Sequence, residues 1–307
     1  MRRTNFLGVY GHTAIDIIYN ADEFPQPNSC VELKGRQEFF GGTGANIARI
    51  ASSLGVKTAL ASHVGDDFPK GFMDAMKSSG VDTTDVVKVR GRRTSFIIMI
   101  SDRNHNQIGF VDQGAVLEQE RLPIRTHTAL SSKFVHIGTG RPSYSLKVAK
   151  LARKKRKTIA FDPAQELSYV YTPETFRSVL EYSDILFVNS AELERAKGYL
   201  NMKEDIELLS YVKMVVNTRG SEGSRILTED DEIIVGTVQP DKIVDTTGAG
   251  DGFRAGFYAG MSRSLSLEEC AWTGSAAASF VVESMGAQSV LPTWEMVQRR
   301  AARRKCV

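Results

Sequence analysis

Asp245-Thr246-Thr247-Gly248-Ala249-Gly250-Asp251-Gly252-Phe253 sets a Gly-Ala-Gly turn directly before a carboxylate at a predicted helix start. Small residues there let successive backbone N–H groups converge on a phosphate, and the positive end of the helix favours the charge that moves in phosphoryl transfer. Asp251, at the mouth of such an anion hole, is placed to take a proton from an attacking hydroxyl. Taken alone, a Gly-x-Gly-Asp more often marks a turn and a helix cap. A second constellation, Phe40-Gly41-Gly42-Thr43-Gly44-Ala45-Asn46-Ile47-Ala48, leads into a helix with apolar residues at Ile47, Ile50, Ala51 and Leu54. Adjacent glycines allow close backbone approach to a ligand, and Asn46 both donates to and accepts from a hydroxyl. A third, Asn189-Ser190-Ala191-Glu192, follows an apolar strand and puts an Asn and a Glu on the first turn of a helix. Oxygen ligands there suit Mg²⁺ and its water shell, while the same residues also make an N-cap with Glu at N3.

These residues need a scaffold, and short apolar runs alternating with helical patterns supply one. Phe134-Val135-His136-Ile137 is followed by a helix from about Ser145 to Arg156, then Ile159-Ala160-Phe161, Asp184 to Val188, a helix from Ser190 to Tyr199, and Lys213 to Asn217. This βαβ rhythm predicts a parallel sheet with helices on both faces and a ligand site beyond the carboxyl ends of the strands. Residues 12–40 and 93–116 break it. The second contains a predicted hairpin, Thr94 to Ser101 and Gln107 to Val111 around a turn at Asp102-Arg103-Asn104-His105-Asn106. Together the two stretches read as a small β lid inserted within one domain spanning residues 1–307.

Composition fits an ordinary globular protein: 307 residues, 42% hydrophobic, with 39 basic against 36 acidic residues. Cys30, Cys270 and Cys306 are isolated, with no disulfide or metal spacing, which suits a reduced cytoplasmic setting. Phe6-Leu7-Gly8-Val9-Tyr10 is too short for a signal peptide or membrane span. The basic runs Arg153 to Lys157, Arg299-Arg300 and Arg303-Arg304-Lys305 lack interleaved aromatics. They read as a helix C-terminus and a solvated chain end, so no nucleic-acid or membrane partner is expected.

The three constellations together resemble the ribokinase-like (phosphofructokinase B) family of sugar and nucleoside kinases. Gly41-Gly42-Thr43-Gly44-Ala45-Asn46 is similar to its first signature, Asp245 to Phe257 to its second, and Asn189-Ser190-Ala191-Glu192 to its Asn-x-x-Glu motif, within a likeness running from Gly11 to about Pro292. The resemblance implies a three-layer α/β/α sandwich with a mainly parallel central sheet, and ATP-dependent phosphorylation of a hydroxymethyl group. It also implies Asp251 as catalytic base, Gly248, Ala249 and Gly250 as the anion hole, and Asn189 and Glu192 as organisers of Mg²⁺ and the ATP phosphates. Asp16 resembles the acid that holds two ring hydroxyls, and a carboxylate accepts well from such a pair, with Asn46 and the backbone near Gly42 completing the grip. Thr218-Arg219-Gly220-Ser221-Glu222-Gly223 resembles the family's turn beside the nucleotide, so Thr218, Gly220 and Gly223 are expected at ATP. Asp245, Thr247 and the segment 284–289 stand where relatives hold a monovalent cation such as K⁺.

The acceptor lies beyond these signatures. The segment Gln107 to Ala115 is similar to lids of nucleoside kinases in this family, offering Phe110 for stacking and Gln113 for polar contact with a base. The expected reaction is therefore transfer of the ATP γ-phosphate to a nucleoside 5′-hydroxyl. The alternatives are a sugar kinase of the ribokinase, fructose-phosphate or ketodeoxygluconate type, and, from another class, a non-catalytic ligand sensor. Walker, dinucleotide-binding, nucleophile-elbow and His-Glu-x-x-His patterns are missing from the sequence. His136 reads as a core residue, and the β lid offers an outer face through which relatives in this family often pair, a homodimer that the sequence leaves open.

Overall fold

The computed structural model describes residues 4–303 except His105, so His105, Cys306, Met1-Arg2-Arg3 and the Arg304-Lys305 end of the second basic run lie outside the described residues. In chain order, β1 (Asn5–Tyr10), β2 (Ala14–Asn20) and β3 (Lys34–Gly41) precede α1 (Thr43–Ser53), β4 (Thr58–Val64), α2 (Lys70–Ser78) and β5 (Asp82–Lys88). Then come β6 (Ser95–Ser101), β7 (Gln107–Asp112), α3 (His127–Ser131), β8 (Ser132–Ile137), α4 (Pro142–Lys154), β9 (Thr158–Phe161), α5 (Pro173–Leu180) and β10 (Ile185–Asn189). α6 (Ser190–Leu200), β11 (Met214–Thr218), β12 (Ser224–Thr228), β13 (Glu232–Val235), α7 (Ala249–Met261), α8 (Leu267–Val281) and α9 (Trp294–Ala301) complete the described elements.

Nine strands form the large sheet in the order β13-β12-β11-β10-β9-β8-β1-β4-β5, parallel from β11 to β5 with an antiparallel edge at β12 and β13. All seven positions of β4 are buried, as a strand covered on both faces requires, so its sequence has no alternation. One core cluster packs α1, α2, α7, α8 and α9 on one face. A second packs α3, α4, α5 and α6 on the other. The architecture is the three-layer α/β/α sandwich expected. Among the described residues no helix is long and apolar enough to cross a membrane.

The chain moves outward from β1 through β4 and β5, returns to β8 on the opposite side of β1, and continues outward to β11. Strand order therefore reverses between β1 and β8, which opens a crevice beyond their carboxyl ends. Thr139 fastens the crevice, its Oγ1 accepting from the His12 amide (3.2 Å) and bonding Thr43 Oγ1 (2.7 Å) at the start of α1.

A four-stranded sheet, β3-β2-β6-β7, stands apart from the large one. The hairpin expected at 94–111 is β6 and β7, but 114–120 winds into a short 3₁₀ helix instead of extending it. α4 begins at Pro142, earlier than the expected Ser145, because proline suits a first helical turn. Register fixes the faces of this sheet. Asp16 pairs with Phe39 and Ile97, and Ile97 with Val111, whereas Ile17 pairs with Ile98 and Ile98 with Phe110. Paired residues share a face and neighbours along a strand alternate, so Asp16, Ile97 and Val111 lie on one face, and Ile17, Ile98 and Phe110 on the other.

Candidate active site

Gly248 caps α7 in the left-handed conformation, φ 78°, and a Cβ there would lie 2.2 Å from the Ala287 Cβ. Only glycine meets both demands. The turn it makes puts Asp251 in the first helical turn, buried. The Ala249 N–H is already taken by the Thr246 carbonyl (3.2 Å). The Gly250 and Asp251 amides have no backbone partner recorded among the described residues, and they lie in the turn where a helix has no acceptor of its own to offer.

Burial pushes the Asp251 carboxyl up to about 7. Arg254 and a hydrogen bond donated by Asn46 Nδ2 to Oδ2 (2.7 Å) oppose the rise, while Asp162 and Glu192 add to it. Arg254 is buried and held by Asp162, with Nη2 donating to Oδ1 at 2.9 Å and Nε against Oδ2.

Asp16 is buried as well, and desolvation, with the Asp251 and Asp245 charges behind it, raises its carboxyl to about 7. Among the described residues its Oδ1 has no hydrogen-bond partner. Gly41, paired with Ala14 on the neighbouring strand, is constrained by this carboxylate, since a Cβ there would fall 2.1 Å from Asp16 Oδ2. Gly42 caps α1 at φ 86°. Asn46, expected at a substrate hydroxyl, has both polar atoms engaged inside the protein: besides donating to Asp251, it accepts from Gln288 Nε2 (2.6 Å).

Thr218, Gly220 and Gly223 meet Ala249, Gly250 and Phe253 along one cleft of about 330 Å³, whose apolar wall includes Val238, Ile243, Ala278 and Val282. Residues far apart in sequence, Thr218, Gly220 and Gly223 among them, are thus brought together along one cleft. Asn189, paired with Thr218 across β10 and β11, forms a reciprocal cap with Glu192. Asn189 Oδ1 accepts from the Glu192 amide (2.9 Å), and the Asn189 amide and Nδ2 donate to the two Glu192 oxygens (2.8 Å each). Burial, then Asp162, raises the Glu192 carboxyl. This hard-oxygen donor set fits Mg²⁺ bound through phosphates and water. Among the described residues no group of three or more His, Cys, Asp or Glu side chains forms a metal cage. Asp245 ties two loops, its Oδ1 accepting from the Thr247 amide (2.9 Å) and Oδ2 from the Gly286 amide (3.0 Å).

Of the two residues expected at a base, Phe110 lies on the far face of the small sheet and Gln113 is hydrogen-bonded within the protein. Phe110 is 57% exposed and on the face of the small sheet opposite Asp16, so its neighbour Val111, not Phe110, shares the Asp16 face. Gln113 Nε2 donates to Oε1 of the buried Glu166 (2.8 Å), which also has His12 Nε2 at 3.4 Å, while Glu166 Oε2 accepts from the Gly140 amide (2.6 Å). His136 is in the core, its Nδ1 bonded to the Tyr258 hydroxyl (2.9 Å), and burial lowers it to about 4. Sequence reasoning gave no role to Asp162, Arg254, Glu166 or Arg49, and named Gln288 only within the segment 284–289. Two carried a signal: Asp162 directly follows the apolar run Thr158 to Phe161, at a strand's carboxyl end, and Arg254 is three residues, one helical turn, after Asp251.

Residues 4–294 match the pfkB family carbohydrate kinases, and the chain belongs to that family. It is 36% identical over 291 residues to a nucleoside kinase of Methanocaldococcus jannaschii, with 94% of each chain covered. It is 37% identical over 296 residues to a nucleoside kinase of Methanothermobacter thermautotrophicus, covering 95% of this chain and 94% of the other. The crystal structure of the M. jannaschii enzyme, an archaeal member of the ribokinase family, matches with a TM-score of 0.90 over 97% of this chain and 98% of that one, at 36% identity.

Proposed function

We propose that this protein is an ATP-dependent nucleoside kinase that phosphorylates the 5′-hydroxyl, with Asp251 as general base. The observation that carries the reading is the pair of buried carboxylates at one crevice: Asp16, with an oxygen open to hydroxyl donors, and Asp251, at the phosphate-binding helix end. Asp16 accepts from the ring hydroxyls, which orients the nucleoside. Asp251 takes the 5′-hydroxyl proton, a task suited to a group titrating near neutrality. The Gly250 and Asp251 amides receive the phosphate charge. Mg²⁺, organised by Asn189 and Glu192, supplies neutralisation of the phosphates when bound. Asp245, Thr247 and the segment 284–289 are the proposed setting for K⁺. Gln113, held by Glu166, meets the polar edge of the base. The likeness to the two archaeal nucleoside kinases supports the choice of acceptor.

The small sheet is the proposed lid. Its far face, with Ile17, Ile98, Ile108 and Phe110, supports pairing with a second copy of the chain. The functional reading is tested by ADP release from ATP and Mg²⁺ against ribonucleosides, ribose, fructose 6-phosphate and ketodeoxygluconate. Turnover with ribonucleosides is expected; turnover confined to a sugar would replace this reading with a carbohydrate kinase.

A further inference from the structure

Behind Asp251 runs a chain of buried, hydrogen-bonded side chains. Arg49 Nη1 donates to Gln288 Oε1 (2.6 Å), Gln288 Nε2 donates to Asn46 Oδ1 (2.6 Å), and Asn46 Nδ2 donates to Asp251 Oδ2 (2.7 Å). All four groups are buried. An amide can usually be turned end for end, but here neither can. A guanidinium only donates and a carboxylate only accepts, so the two ends of the chain dictate the orientation of both amides between them. We infer that Arg49 and Gln288 are positioning residues for phosphoryl transfer, locking the Asn46 amide with its N–H toward Asp251 so that the base is held ionised and aimed. The inference rests on Asp251 being the general base.

The surroundings explain why the lock matters. Charged groups face Asp251 from each neighbouring element: Arg254 on α7 itself, Asp162 after β9, Glu192 on α6, and Asp16 on β2. Two of these carboxylates, Asp162 and Glu192, oppose ionisation of Asp251, and Asp251 in turn raises Asp16. Arg254 is shared with Asp162. The Asn46 N–H is thus the one hydrogen bond to the Asp251 side chain recorded among the described residues, and its loss leaves the neighbouring carboxylates unopposed except by Arg254.

Gln288→Glu tests this, because it separates a positioning role from a packing role. Glutamate keeps the shape of the side chain and pairs with Arg49 by charge, so a packing role tolerates it. As an acceptor only, however, it requires Asn46 to turn its N–H toward residue 288 and its carbonyl toward Asp251. The expected variant melts close to wild type, keeps its KM for ATP, and loses kcat at pH 7 by about tenfold or more, the scale of a hydrogen bond to a charged group. The acid limb of its kcat–pH profile moves to higher pH by about one unit, and activity recovers under alkaline conditions. Arg49→Met, which frees Gln288 to rotate, is expected to move the limb in the same direction and serves if Gln288→Glu folds poorly. Unchanged kcat, or a loss of kcat with the limb unmoved in the folded variant, overturns the inference. Asp251→Asn assayed alongside separates the two readings: if it is inactive while Gln288→Glu behaves as wild type, the relay fails and the base stands, and if it turns over normally, the base itself fails.

Discussion

Asp16 and Asp251 carry carboxyls raised to about 7 from an ordinary value of 3.8, each first through burial. An acid whose folded pKa exceeds its unfolded one favours the native state while protonated, and that stabilisation is lost as pH rises. For both groups the loss falls between about pH 4 and pH 7 and is complete above the folded value. The ligand-free protein is therefore expected to melt at lower temperature at pH 8 than at pH 5 on account of these groups. Asp16→Asn is expected to raise the melting temperature at pH 8 by several degrees and change it little near pH 4, while weakening nucleoside binding at least about tenfold. Scanning calorimetry at the two pH values, with titration calorimetry for binding, checks this. A variant no more stable at pH 8 that binds normally would show that Asp16 is neither strained by burial nor in contact with substrate.

At the scale of elements, the starts of α1, α6 and α7 were legible because each needs a local sequence device: paired glycines before Asn46, the Asn189–Glu192 cap, and Gly248 at a left-handed φ. Which side of β7 faces the crevice was not. A strand's parity is set by its partners, and a shift of one residue exchanges Phe110 for Val111. Gln288 was equally opaque: it meets Asn46 across 242 positions of sequence, and Arg254 meets Asp162 across 92, so only the assembled sheet brings them together. The β6–β7 hairpin makes the element-scale prediction. If the small sheet closes over substrate, nucleoside is expected to slow amide exchange across 95–101 and 107–112. Unchanged exchange in the presence of saturating nucleoside would remove the lid role.

Over the whole molecule, the reversal of strand order between β1 and β8 gathers Asp16, Asn46, Asp162 and Asp251 at one crevice, while α7 and the β11–β12 turn line the cleft beside it that is proposed for the nucleotide. The far face of the small sheet leaves Ile108 39% and Phe110 57% exposed. Burying these against a second copy would satisfy an apolar surface that water otherwise covers. Sedimentation of wild type as a dimer and of Ile108→Asp as a monomer is expected; a monomeric wild type would rule out that pairing. The most direct measurement is the comparison of nucleoside binding and turnover in Asp251→Asn. Affinity for nucleoside close to wild type with kcat lowered at least about a hundredfold is the expected result, the span of general-base catalysis. Turnover near wild type in that variant would contradict the assignment of proton removal to Asp251.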